Sequence, residues 1–511
     1  MEFEELLAIE TLRNLDEQSQ IDLIGTLFDM SMDRESLDGV DKGLQFANEV
    51  NERALEPALL TVLFYTLSNG WSYRRTLKYR KSTEGWQFQM EELSNEIIYL
   101  RKAIASNGFV EVIPERQCQI YTNLANAFFV IGRFVEAMAY WKKAIEILPN
   151  FAMAIGNMAN CTFNYGRSLF DNIHANLFIS YSYHQFVQAL EFKASLHEKA
   201  LDGFQNLHDQ LRNHIAENYP AEYLSDFPNL SYDLGNDLEL NKYRLWCLGE
   251  TLFINPLNDL GQHTVATHDC LNLPTVTLAS NRAPVCINLF NQIKQEFSTA
   301  RYAYYLSVSN GKPHLSDKDV PLVDTMEMVQ YSFYLEQMKI SFKLAYSILD
   351  KIAYLLNDYL RLQIDLNRVS FRSLWFDNRK QLRQFFATSD NWALRGLFWL
   401  SKDLYEKDMD FDLLLEEDAK EISLIRNFIE HKGFKLLSDM YIPIYAFSEP
   451  DISYSITRSS FEQKTLKLLK LTRAAIMYTA IAVSHEERKK DSNSLRKQVI
   501  SSALIPDLMR F

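Results

Sequence analysis

Cysteine is sparse in this chain and never closely paired. The five cysteines, Cys118, Cys161, Cys247, Cys270 and Cys286, lie far apart with no C-x-x-C spacing, which supports neither a disulfide framework nor a zinc knuckle. Glycine and proline are also scarce, at 16 and 13 in 511 residues. So few breakers beside many Leu, Lys, Glu and Phe point to long helices rather than a sheet-rich fold. No apolar run reaches the length of a membrane span, because charges interrupt each one. The opening Met1-Glu2-Phe3-Glu4-Glu5 is acidic and lacks the basic start of a signal peptide, so a cytoplasmic location is expected. The net charge of −13 argues against coating nucleic acid along the whole chain and leaves room only for a local basic groove. What is present is an ordinary globular composition, long enough for two or three domains.

Residues 1–110 read as helix after helix. Leu6, Leu7, Ile9, Leu12 and Leu15 mark one apolar face, and Glu56-Pro57 and Asn69-Gly70 are expected to punctuate a later helix at its two ends. A sharper pattern follows at 118–151, where Tyr121, Leu124, Ala125, Phe128, Gly132, Ala137, Trp141, Ala144 and Pro149 recur in register. Small Ala125 and Ala144 let paired helices approach, Gly132 makes the turn between them, and Pro149 stops the second. These positions resemble one tetratricopeptide (TPR) unit. The next begins on schedule with Ile155, Met158, Ala159, Phe163 and Gly166, then decays after Arg167. A single unit cannot bury its faces alone, so residues 1–200 are expected to form a TPR-like solenoid.

Residues 201–324 form an irregular and helical connecting region. Pro220, Pro228, Gly235, and the stretch from Asn255 through Pro256 to Pro274, break it into loops of unassigned role. His263, His268 and Cys270 are the nearest approach to a metal-ligand cluster, but no fourth ligand accompanies them. Helix returns at 287–305, and 311–322, with Gly311-Lys312-Pro313, is the candidate linker.

From 325 to 511 the spacing predicts a bundle of long helices at 327–358, 379–386, 391–405, 419–431 and 460–487. The fourth carries the residues of most chemical interest. Ile422, Ile425 and Ile429 form its apolar stripe, while Asn427 and His431 are i,i+4 neighbours with Arg426 beside them. The plain alternative is a surface ion pair between Arg426 and Glu430, with His431 merely near the helix end before Gly433. Arg167-x6-His174 also meets a bare Arg-x4–6-His spacing, but in a setting with no other support.

Arg426-Asn427-x3-His431 resembles the Arg-polar-x3-His motif of the HEPN family, carried on the last helix but one of a helical bundle. The surroundings agree: Leu397-Phe398-Trp399-Leu400-Ser401-Lys402-Asp403-Leu404, an acidic break, then Ala419-Lys420-Glu421 leading into the motif. The segment 295–305 is also similar. The likeness is to the branch in which TPR-like repeats precede a C-terminal HEPN domain, so the expected fold is all-α, a solenoid followed by a HEPN bundle at 325–511.

The resemblance implies a metal-independent endoribonuclease of the toxin kind, acting in host defence or stress response, with no cofactor and no metal. His431 would transfer protons, Arg426 would stabilise charge on phosphate, and Asn427 would orient one or the other. Asp350 and Lys351 on the first bundle helix, with Glu430, are candidate supporting residues. Lys464, Lys467, Lys470 and Arg473 recur every three residues on the last helix, and Lys467, Lys470 and Arg473 are the candidate RNA contacts. Arg368, Arg372, Arg379 and Arg383 form a second basic group. The resemblance further implies a homodimer through the HEPN domain with a composite site, and a protein or peptide trigger bound by the repeats. Two other readings stay open. One is a non-catalytic TPR/HEPN scaffold for protein interaction, whose bundle only dimerises or binds a nucleotide; the other is a metal-dependent hydrolase built on His263, His268 and Cys270.

Overall fold

Helical hairpins build the N-terminal part. The protein is seen in a computed structural model that describes residues 2–80, 86–323, 327–377, 381–404, 419–440, 452–490, 497–500 and 504–505. Glu17–Asp33 packs on Leu37–Ala47, Pro57–Tyr79 on Glu91–Ala105, Pro114–Val130 on Phe134–Ile147, and Ala152–Ser168 on Asn172–Glu191. Local chemistry sets the helix starts. Asp16, Ser36 and Asp171 accept backbone amides of the first turn, and Pro57 and Pro114 occupy first-turn positions where no amide is needed. Within 118–151, Ala125, Ala137, Trp141 and Ala144 are buried, and Gly132 adopts a φ of +87° in the turn.

The C-terminal helices are Val285–Ser309, Phe333–Tyr359, Trp392–Ser401, Ala419–His431 and Arg458–Arg488. Val285–Ser309 packs along Phe333–Tyr359, and 311–322 lies between these two packed helices. The first long helix starts at Phe333, not at 327, because the preceding residues are extended: Val329 bridges Leu437, and the Gln330 amide donates to the Leu436 carbonyl at 2.7 Å. Of the helix expected at 379–386, residues 379–380 lie outside the described residues, and the rest holds one helical turn, Gln384–Ala387. Two small strand pairs also occur. Gly433–Leu437 runs parallel to Ser453–Thr457, and Val276–Ala279 antiparallel to Lys497–Ile500. Among the described residues the fold is otherwise all-α, repeats first and bundle second.

One continuous apolar core runs from the repeats into the bundle, while a separate cluster joins the first hairpin to Phe3, Leu6 and Leu12 before it and to Leu63 and Leu67 of the next helix. The join is the Trp392–Ser401 helix, buried on every side from Ala393 to Ser401, as an all-round apolar helix must be. Gly132 and Gly396 let the two parts touch through their backbones. A Cβ on Gly396 would lie 2.3 Å from the Gly132 carbonyl oxygen. Trp392 Nε1 donates to the Phe129 carbonyl at 3.0 Å and Trp399 Nε1 to the Phe88 carbonyl at 2.7 Å. Beside them, Asp403 accepts from Arg101 at 2.8 and 3.0 Å and from Arg133 at 2.6 Å. Burial alone would raise the Asp403 carboxyl, but the two guanidiniums hold it well below the usual carboxylate range.

The loops between Leu252 and Leu273 serve the same join. Asn255, Asn258 and Asp259 are buried. Asp259 accepts from Arg473 at 2.7 Å and from the Tyr165 hydroxyl at 3.0 Å, and its backbone carbonyl accepts from Lys142 at 2.6 Å. Asp269 takes a two-pronged pair from Arg301, at 2.9 and 2.8 Å. This polar hub ties the last helix to the repeat, a role that the punctuated sequence does not disclose. His263, His268 and Cys270 are not gathered into a ligand cluster: among the described residues no group of three or more His, Cys, Asp or Glu side chains is placed to hold a metal. Burial pushes the Cys270 thiol up to about 12, which disfavours the thiolate a metal requires.

Candidate active site

Ala419–His431 lies on Phe333–Tyr359 through its apolar stripe. Ile422 and Ile425 are fully buried, and Phe428 is 7% exposed. The opposite arc therefore faces outward, with Asn427 and His431 exposed and Arg426 half-buried between the two faces. The His431 side chain is 69% exposed, so its ring is open to a substrate or a partner surface.

Arg426 is the geometric centre. Its guanidinium stands over the Tyr346 ring, 4.4 Å from the centroid, with Asp350 at 3.6 Å and Glu430 at 3.5 Å. Partial burial works against its charge, but Tyr346, Asp350 and Glu430 together raise it above its ordinary value. Burial in turn raises the Asp350 carboxyl, only partly offset by the Phe371 amide, which donates at 3.1 Å, and by Arg426. Glu430 also lies 3.7 Å from His431 Nε2. Thus Asp350 and Glu430 meet Arg426, and Glu430 links it to His431. Lys351 points elsewhere, donating to Glu296 at 2.7 Å and Ser347 at 2.9 Å. Tyr346 is absent from the candidates drawn from the sequence. It lies four residues before Asp350, one helical turn away on the same face, a spacing that would have exposed it.

The basic residues divide. Arg473, expected to touch RNA, is 1% exposed and spent on Asp259, the Phe253 carbonyl and the Asn255 carbonyl. The three-residue spacing drifts around the helix and carries this position into the core. Lys464 pairs with Glu421 at 2.8 Å and Lys470 with Glu250 at 2.9 Å. Lys467 and Lys470 gather near Lys143 of the repeat, whose ammonium is disfavoured by burial and then by these two charges. Of the second group, Arg372 is buried against the Ser401 carbonyl, Arg383 donates to the Leu374 carbonyl at 3.1 Å, Arg368 is exposed, and Arg379 lies outside the described residues.

The architecture defines a helical-repeat protein fused to a helical bundle with a polar Arg/Asn/His cluster on its outer face. Comparison with family models identifies both parts. Residues 277–486 match the LA2681-like HEPN family and residues 118–151 match the tetratricopeptide repeat, so the chain carries a TPR repeat followed by a HEPN domain of the LA2681-like type. No curated protein and no solved structure matches the chain. Among the described residues no helix is long and apolar enough to cross a membrane.

Proposed function

We propose that the protein is a metal-independent endoribonuclease whose site is built on Arg426, Asn427 and His431. The observation that carries this reading is the convergence of Arg426, Asp350, Glu430 and His431 on one open face of a HEPN domain. In the reaction the ribose 2′-OH attacks the adjacent phosphorus, the bond to the 5′ oxygen breaks, and the products are a 2′,3′-cyclic phosphate and a free 5′-OH. One proton leaves the 2′-OH and one is delivered to the 5′ oxygen. An imidazole suits this transfer because its ordinary titration range lies near neutrality. Arg426 donates to the phosphate oxygens as charge develops, and Tyr346, Asp350 and Glu430 hold its fork in place. Asn427, one turn from His431, orients the ring or the phosphate.

Two copies of this exposed face, opposed in a homodimer, would supply a second His431 for the second proton. The repeats, joined to the bundle through Gly132, Gly396 and Asp403, are suited to regulate it in response to a protein or peptide trigger. Such a device fits a toxin of host defence acting in the cytoplasm. The test is RNA cleavage by the purified full chain and by His431→Ala. A loss of about 100-fold or more is expected of an acid–base residue, and undiminished cleavage by the variant refutes the assignment.

A second reading, a scaffold that dimerises without catalysis, is favoured by one feature. Arg426 already has two carboxylates within 3.6 Å, which compete with a phosphate for its charge. Cyclic-phosphate product ends that depend on Arg426 would exclude it.

A further inference from the structure

The last turn of Ala419–His431 carries a carboxylate that the local chemistry of a helix does not favour. Glu430 stands next to His431 at the C-terminal end, where unpaired carbonyls carry partial negative charge. It also follows Arg426 by four residues, and an i,i+4 ion pair is stronger with the acid first. Helix stability therefore gives little reason for an acid at this position.

The contacts of Glu430 are few and loose. A single oxygen, Oε2, faces both Arg426 Nε, at 3.5 Å, and His431 Nε2, at 3.7 Å. Both distances exceed the roughly 2.7–2.9 Å of a formed charge-assisted hydrogen bond. Among the described residues no other group pairs with this carboxylate, whose side chain is 26% exposed. Two neighbouring carboxylates differ. Asp350 is anchored by the Phe371 amide at 3.1 Å. Glu421, on the same helix as Glu430, accepts from Lys464 and from the Tyr454 hydroxyl, each at 2.8 Å. Asp350 and Glu421 are built into the bundle, whereas Glu430 is held only by the two groups that the reaction needs.

The place of Oε2 decides what Glu430 does. A phosphodiester on which Arg426 and His431 both act must bring its oxygens within reach of Nε and Nε2 together. Glu430 Oε2 already stands at that point, and two anions cannot share it. A phosphate offers a guanidinium two oxygens in parallel and closes to full hydrogen-bond distance, so it can displace a carboxylate held this loosely.

We propose that Glu430 is a built-in competitor for the substrate phosphate, lying between Arg426 and His431 at rest and swinging out as RNA is gripped. At rest it keeps the Arg426 fork aligned; once RNA is bound, the anchored Asp350 carries that task alone. Glu430 thereby sets the affinity of the site for a phosphodiester. The proposal rests on the nuclease reading of the same site and adds its control by a residue of the motif helix.

The test compares the full chain with Glu430→Gln, Arg426→Ala and the double variant. Binding is followed by fluorescence anisotropy with a short RNA of mixed sequence carrying 2′-O-methyl riboses, which cannot attack its own phosphates. Cleavage is followed with the same RNA unmodified. Glu430→Gln keeps the shape and removes the charge. It is expected to bind the 2′-O-methyl RNA about fivefold more tightly than wild type, the order of effect of one charge beside a phosphate in a solvated site, and to raise kcat/KM by a similar factor. The gain should vanish in the Arg426→Ala background, because the two side chains act on one ligand. All variants should retain the wild-type circular dichroism spectrum. If no protein cleaves RNA but the tightening and its dependence on Arg426 persist, the nuclease reading falls and the assignment of Glu430 stands. The proposal is overturned if Glu430→Gln binds no more tightly than wild type, if no protein binds the RNA, or if the gain survives Arg426→Ala. A tenfold fall in kcat with Glu430→Gln also overturns it, and makes Glu430 a positioning residue for His431.

Discussion

Replacing Asp403 by asparagine should separate repeat from bundle more effectively than any single apolar truncation. The carboxylate is 1% exposed, and its partners Arg133 and Arg101 are 1% and 11% exposed. Asparagine keeps the shape and removes the charge, taking from two neighbouring guanidiniums the carboxylate they share, while Arg133 keeps Glu136 at 2.8 Å. Breaking a buried pair from one side costs about 3–5 kcal/mol, and three charge-assisted hydrogen bonds are weakened together. Urea unfolding of wild type and variant at pH 7, followed by circular dichroism, should show that loss. Its pH dependence has a definite sign. The folded carboxyl lies below its ordinary value of 3.8, so the stability it contributes is complete above that value and declines as pH falls below it. The gap between wild type and Asp403→Asn should thus stay constant from pH 7 to about pH 5 and narrow below about pH 4. A loss under about 1 kcal/mol at pH 7, or a gap that widens in acid, would refute the reasoning.

Lys402 behaves in the opposite sense. Burial, with Arg372 beside it, lowers the ammonium to about 7, so the folded state holds fewer protons than the unfolded one between about pH 7 and 10.5 and stability rises with pH across that window. Lys402→Met should therefore raise the melting temperature at pH 6.5, with the gain fading toward pH 10. Gly396→Ala should destabilise by roughly 1–3 kcal/mol, since its new Cβ would meet the Gly132 carbonyl oxygen; a variant of unchanged stability in urea would contradict the contact. Arg473→Met should lower stability by stranding Asp259 rather than act on RNA through a surface contact. A stability change near zero, with weaker RNA binding of reduced salt dependence, would restore it to the surface.

Periodicity and fixed spacing made the order of repeat and bundle legible in the sequence. Ala125, Gly132, Trp141 and Ala144 sit at set intervals because each solves a local packing problem, and Ile422 and Ile425 recur as a helix requires. The family resemblance drawn from Arg426, Asn427 and His431 agrees with the match at 277–486. Contacts between distant residues were not legible. Asp259 and Arg473 are 214 positions apart, and nothing in either neighbourhood announces the other, so a core arginine read as surface charge and a structural hub read as open loops. The start of the first long bundle helix at Phe333 was missed because the bridge from Val329 to Leu437 overrides local helical preference. Trp392–Ser401 carried a usable signal: apolar residues around its whole circumference mean burial on all sides.

The central claim is that Arg426 and His431 cleave RNA without metal. The direct measurement is incubation of RNA with the full chain, Arg426→Ala and His431→Ala in EDTA, followed by identification of the product ends. The account predicts 2′,3′-cyclic phosphate and 5′-OH ends with wild type, and loss of these products with either variant. Cleavage that EDTA abolishes, or cyclic ends produced equally by all three proteins, would contradict it.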